Sequence, residues 1–152
     1  MRLLILAVGR MRAGPLADLQ NHYAKRLNWP LAIREVEERR ALPAKERVAR
    51  EGELLLEALA PDAFPVALDA RGKNFSSAEF AERLGRWQSD GVKTLAFMIG
   101  GADGLAAPVL KRARLALSLG AMTWPHLLVR GMLLEQLYRA QQILAGHPYH
   151  RE

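Results

Sequence analysis

Leu3 to Val8 is an unbroken apolar run closed by Gly9. A strand with no polar face must be covered on both sides, and such strands belong mostly to parallel sheets flanked by helices. The rest of the chain supplies the alternation that a parallel sheet needs. Pro15 opens a helix predicted to run to about Asn28, with Leu16, Leu19, Tyr23 and Leu27 spaced for one buried face. A second strand follows over Leu31 to Val36. The charged stretch Glu35 to Arg50 leads into Glu53 to Leu59, which reads as an amphipathic helix with a solvated, solubilising face. Val66 to Asp69 is a short third strand, and Ser76-Ser77-Ala78-Glu79 is a capping box for a helix ending near Gly91. Leu95 to Ile99 and Leu115 to Leu119 read as the last two strands, and Pro125 to Ala145 as a long closing helix bounded by Gly146 and Pro148. The expected class is α/β, a mostly parallel sheet with helices on both faces.

Composition narrows the chemistry. The 152 residues, 50% of them apolar, suffice for one domain, taken as residues 1–152. There is no cysteine, so disulfides, thiolate nucleophiles and Cys-based zinc sites are excluded. The opening MRLLILAVGRMR has no small-residue cleavage site after its apolar run, and no apolar stretch reaches the roughly 20 residues that span a bilayer. A soluble, cytoplasmic protein without membrane contact is expected. Lys and Arg number 22 against 16 Asp and Glu, a formal charge of +6, which suits either a polyanionic partner or solubility alone.

Ligands of open α/β sheets bind beyond the carboxyl ends of the strands, so the loops there are the places to search. The first strand ends Gly9-Arg10-Met11-Arg12, without the G-x-G-x-x-G of a dinucleotide fold. Glycines appear late instead, in Ile99-Gly100-Gly101-Ala102-Asp103-Gly104, where they would let backbone approach a ligand or simply make a tight turn. A second small-residue loop runs from Ser118 through Leu119, Gly120, Ala121, Met122, Thr123 and Trp124 to Pro125. Two such loops after neighbouring strands could wall one pocket, although Met122 and Trp124 taken alone are more often core residues. On the last helix His126 and Arg130 stand four apart, as do Glu135 and Arg139, so each pair can interact. The chain closes His147-Pro148-Tyr149-His150-Arg151-Glu152, an aromatic and imidazole-rich tail with no third ligand cluster to complete a metal site.

The runs FMIGGADGL, LSLGAMTWPHLLVRGMLLEQLYRAQQI and HPYHRE, with VALDARGK before them, resemble in collinear order the RlmH-type ribosomal RNA pseudouridine N3-methyltransferases of the SPOUT superfamily. The resemblance implies a C-terminal trefoil knot, S-adenosyl-L-methionine as cofactor, a homodimer, and large-subunit ribosomal RNA in the ribosome as substrate, with no role for DNA. It places the cofactor against Leu68, Gly100, Leu119, Gly120, Ala121, Met122, Thr123 and Trp124. Gly120 stands where the family often has serine, so no hydroxyl contact carries over there. A sulfonium methyl passing to a ring nitrogen needs no covalent protein nucleophile, only positioning and stabilisation of the charge left as the nitrogen loses its proton. Arg139, Tyr149, His150 and Arg151 are the groups expected to hold the base and its phosphates. His126 or His150 is expected to relay the proton, imidazole being suited to that near neutral pH. The rival reading is a non-enzymatic ribosome-associated RNA-binding protein whose glycine loops are turns; cofactor binding separates the two.

Overall fold

The computed structural model describes residues 1–150. In chain order the elements are β1 (Arg2–Val8), α1 (Pro15–Ala24), β2 (Leu31–Val36), α2 (Ala44–Ala58), β3 (Phe64–Asn74), α3 (Ser77–Ser89), β4 (Thr94–Ile99), α4 (Ala107–Arg112), β5 (Leu115–Ser118) and α5 (His126–Leu144). All strand pairings are parallel, in the order β2-β1-β4-β3-β5.

The alternation of side chains along β1 explains why its run has no polar member. Leu3, Ile5 and Ala7 face α3 and α5, packing with Phe80, Leu84, Trp87, Leu133, Leu134 and Leu137. Leu4, Leu6 and Val8 face the other side, against Leu55 of α2 and Val109 of α4. Strand β4 divides in the same way, with Leu95, Phe97 and Ile99 on one face and Ala96 and Met98 on the other. Each fully buried Leu or Phe contributes roughly 1.5–3 kcal/mol, so the central strands and α5 anchor the domain.

Several boundaries differ from the sequence pattern. Helix α1 stops at Ala24 rather than Asn28, because Asn28 N donates to Gln141 Oε1 of α5 at 2.6 Å and Pro30 holds Trp29 away from helical geometry. Helix α2 begins at Ala44, directly after Pro43, and buries Glu51 beside Gly52 and Leu55. Strand β3 continues past Asp69 to Asn74 through an irregularity: Leu68 and Lys73 both pair with Leu117, and residues 69–72 bulge out of the ladder. Gly72 permits this, since a Cβ there would lie 2.5 Å from the Ala116 carbonyl oxygen. Strand β5 ends at Ser118, leaving Leu119 in the loop. The six-residue α4 has no counterpart in the sequence reading, being too short to carry a period. The capping box on α3 forms as expected, with Ser76 Oγ accepting from Glu79 N and Glu79 accepting from Ser76 N. Among the described residues no helix is long and apolar enough to cross a membrane, and no three His, Asp or Glu cluster to hold a metal.

Candidate functional site

Because every strand is parallel, the carboxyl ends share one edge, and the loops leaving β3, β4 and β5 meet there around a cleft of about 180 Å³. Leu68, Asp69 and Ala70 come from the β3 bulge, Gly100 and its neighbours from the glycine loop, and Leu119, Gly120, Met122, Thr123 and Trp124 from the loop before α5. Of the residues expected to touch a cofactor, the structure gathers all here except Ala121, which does not line the cleft. His126 and Val129 of α5 complete the wall.

The loop after β5 is fixed by its own hydrogen bonds. Ser118 Oγ accepts from Gly120 N at 3.1 Å and lies 3.0 Å from the Ala70 carbonyl, tying this loop to the β3 bulge. Trp124 Nε1 donates to the Leu119 carbonyl at 3.3 Å. Met122 and Trp124 are not core residues: they are 73% and 39% exposed, apolar surface left uncovered beside a cavity. Gly120 has φ +112, and a Cβ there would meet nothing within 4 Å, so its missing side chain leaves the space next to the cleft open.

Of the two roles expected for the paired glycines, the contacts here are those of a tight turn. A Cβ on Gly100 would strike the Gly104 carbonyl carbon and oxygen at 2.7 Å, and one on Gly101 would lie 2.8 Å from Glu51 Oε2. Their smallness serves the loop's fold-back, closed by the bond from Gly104 N to the Gly101 carbonyl, rather than open ligand space. Asp103 caps nothing, since α4 starts only after Ala106.

A second cavity of about 560 Å³ adjoins the first and shares Leu117, Leu119 and Gly120 with it. Tyr23 of α1, Phe75 to Ser77 before α3, and Met132, Glu135 and Gln136 of α5 line its far side. Glu135 is the hub there. Arg139 Nη2 donates to Glu135 Oε1 at 2.5 Å, Tyr149 OH donates to the same oxygen at 3.2 Å, and the Arg139 guanidinium lies over the Tyr149 ring at 4.9 Å. What resembled a simple helix ion pair is therefore part of a half-buried network that folds the tail back on α5. Tyr149 also meets Tyr138 edge to face at 4.8 Å, so its ring is engaged within the chain rather than presented for stacking on a base. Burial and then the hydrogen bond with Tyr23 push its phenol up to about 12, which keeps it a proton donor at neutral pH. Arg139 is held more firmly protonated by the Glu135 hydrogen bond.

His126 does not pair with Arg130, although both stand on one face of α5; the guanidinium turns to Glu35 at 2.6 Å. Burial, and then the Arg130 charge, lower the His126 imidazole below its ordinary range, so it is neutral at pH 7. His150 is half-buried near the end of the described chain, and Arg151 lies outside the described residues. Sequence reasoning missed Asp69, Ala70 and Val129 as cleft residues and Glu135 as the hub. The end of the expected third strand at Asp69 marked the first two, and four-residue spacing from Arg139 marked Glu135 as a partner but not as a cavity wall.

A family described as "Predicted SPOUT methyltransferase" matches residues 1–150. A Rhodospirillum centenum protein named Ribosomal RNA large subunit methyltransferase H is 57% identical over 151 residues, covering 99% of each chain. Among solved structures, a "Probable Methyltransferase" from Bordetella pertussis superposes with a TM-score of 0.60 at 17% identity, covering 91% of this chain and 95% of that one. A Legionella pneumophila structure holding "the bound cofactor SAM" superposes with a TM-score of 0.51 at 14% identity, covering 92% of this chain and 66% of that one. The structural likenesses establish a shared fold, and the full-length sequence match goes further: the chain belongs to the SPOUT methyltransferase family.

Proposed function

We propose that this protein uses S-adenosyl-L-methionine to methylate large-subunit ribosomal RNA, at N3 of a pseudouridine. The observation that carries the reading is the meeting of the β3, β4 and β5 loops around one cleft with uncovered apolar side chains at its mouth. Its relatives are named for large-subunit ribosomal RNA methylation. The cleft's 180 Å³ falls below the roughly 300–1,000 Å³ of ordinary ligand pockets. A ligand combining a nucleoside with an amino acid therefore extends beyond it, towards the larger cavity across Gly120. Backbone groups of Leu119 to Thr123 hold the adenosine part, and Leu68, Met122 and Trp124 cover its apolar surface.

When bound, the cofactor supplies an electrophilic methyl on a sulfonium. The protein's own work is to admit the base to the larger cavity, align its nitrogen and stabilise the developing negative charge. Arg139, held by Glu135 beside that cavity, provides positive charge, and Tyr149, whose hydroxyl donates to Glu135, keeps that pair in place. His126, neutral and on the cleft wall, accepts the proton, with His150 as the alternative acceptor. Arg151, outside the described residues, adds a guanidinium suited to RNA phosphates. The protein acts as a single domain over residues 1–152 and as a homodimer in the cytoplasm, where ribosomes are. Exposed Leu144 on α5 supports pairing through that helix. A C-terminal knot is supported by membership of the SPOUT methyltransferase family.

The test is to incubate ribosomes from cells lacking this protein with enzyme and labelled cofactor, then map the product by mass spectrometry. One new N3-methylated pseudouridine is expected, absent when the ribosomes carry uridine at that position. Label in no RNA, with cofactor bound normally, would overturn the reading.

A further inference from the structure

Arg130 is the largest fully buried side chain in the molecule, yet it lines neither cavity. Its Nη2 donates to the carbonyls of Gly9 at 2.8 Å and Val8 at 3.3 Å, and its Nη1 to Glu35 Oε2 at 2.6 Å. That same carboxylate oxygen accepts from Met11 N at 2.6 Å. One guanidinium thus fastens the end of β1, the end of β2 and the turn that follows β1 to the second turn of α5. Gly9 has φ +99, and a Cβ on it would lie 3.1 Å from His126 Nε2, so the clamped turn is the surface on which the His126 ring rests.

Stability alone does not account for this arrangement. A buried charge contributes little net stability compared with an apolar residue of similar volume, and here the Arg130 guanidinium gives up its hydration entirely while its partner Glu35 keeps 35% of its side chain exposed. Here Arg130 Nε is buried without a hydrogen-bond partner among the described residues, a further cost. An apolar side chain could fill this volume, but it could not fix two carbonyls and a carboxylate at once.

We propose that Arg130 and Glu35 are positioning residues for the methyl-transfer site, locking the turn Gly9 to Met11 so that His126 is held against the cofactor cleft. This rests on the methyltransferase reading above. The charge that acts on His126 is Arg130 on its own helix, and Arg130 is itself paired with Glu35 of β2, which Arg10 also faces. Arg130 therefore adds, through its field rather than through a bond, to the lowering that burial imposes on the imidazole.

The test compares Arg130→Lys, which keeps the charge and loses the forked donor set, with the apolar double variant Arg130→Met, Glu35→Leu, which strands no charge. For each, thermal unfolding, calorimetric affinity for S-adenosylhomocysteine, methylation of ribosomes and the His126 titration by NMR are measured. Both variants are expected to unfold close to the wild type while product affinity falls by between about tenfold and a hundredfold. Because burial of His126 persists in both variants, its titration is expected to rise only in part in the double variant, by the share the Arg130 charge contributed, and to stay low in Arg130→Lys. Should the double variant not fold, Arg130→Lys decides by itself. A folded variant that binds product and methylates within about twofold of the wild type overturns the positioning role. Failure of the wild type to bind product would instead defeat the methyltransferase reading, leaving the His126 titration to judge the clamp.

Discussion

Glu51 lies buried between α2 and the glycine loop, its carboxylate beneath Gly101 and within the field of Asp103. Burial, and to a smaller degree Asp103, raises its pKa above the ordinary 4.5. A carboxyl whose folded value is raised stabilises the fold fully below its unfolded value, and that contribution is lost as pH rises through the folded value. Glu51→Gln should therefore match the wild type near pH 4 and exceed it near pH 8, by roughly 1–3 °C in Tm on the scale of ~2–4 °C per kcal/mol for a domain of this size. An equal difference at both pH values would contradict the burial argument. At Gly100 the expectation differs, because a methyl group meets backbone. Gly100→Ala should cost about 1–3 kcal/mol of unfolding free energy together with cofactor affinity, as overpacking does. If Gly100→Ala instead leaves unfolding unchanged while abolishing binding, the space beside it belongs to ligand after all.

Among the elements, those whose signals are local were legible in the sequence and those set by partners were not. Ser76 and Glu79 announced the start of α3 because a capping box is completed within four residues. Ser76→Ala should lower stability by ~1 kcal/mol, seen as a shift of a few degrees in thermal unfolding, with no change in cofactor affinity. The buried run of β1 was equally plain, since both of its faces meet helices. By contrast, the end of α1 depends on Gln141 more than a hundred residues away, and the β3 bulge depends on the close approach of Ala116 to Gly72. No period within either segment encodes such contacts. The candidate site divides in the same way. The loops that line its cleft were legible as small-residue runs after strands, whereas the contact of Glu135 with Tyr149 required the fold that brings the tail back to it.

At the scale of the whole molecule, the two cavities meet at Gly120 and are built from different parts of the chain. Among the described residues the smaller cleft draws nothing from beyond Val129, while the network beside the larger one joins Glu135 and Arg139 to Tyr149 in the tail. Cofactor binding and base handling are therefore separable by truncation. Removing residues 147–152 takes away the Tyr149 phenol, His150 and Arg151, and it strips Arg139 of the ring that covers its guanidinium. The hydrophobic core needs none of these groups, since the α5 residues packed in it end at Ile143. The truncated protein should thus unfold near the wild-type temperature and bind S-adenosylhomocysteine within about threefold, a difference under ~0.7 kcal/mol. Methylation of ribosomes should fall by ~100-fold or more, because the base would lose its positioning groups. Undiminished methylation would refute the role given to the tail. Equal loss of binding and methylation would mean that the tail closes the cofactor cleft instead, and light scattering on the truncated protein would then ask whether it does so from the second copy of a dimer.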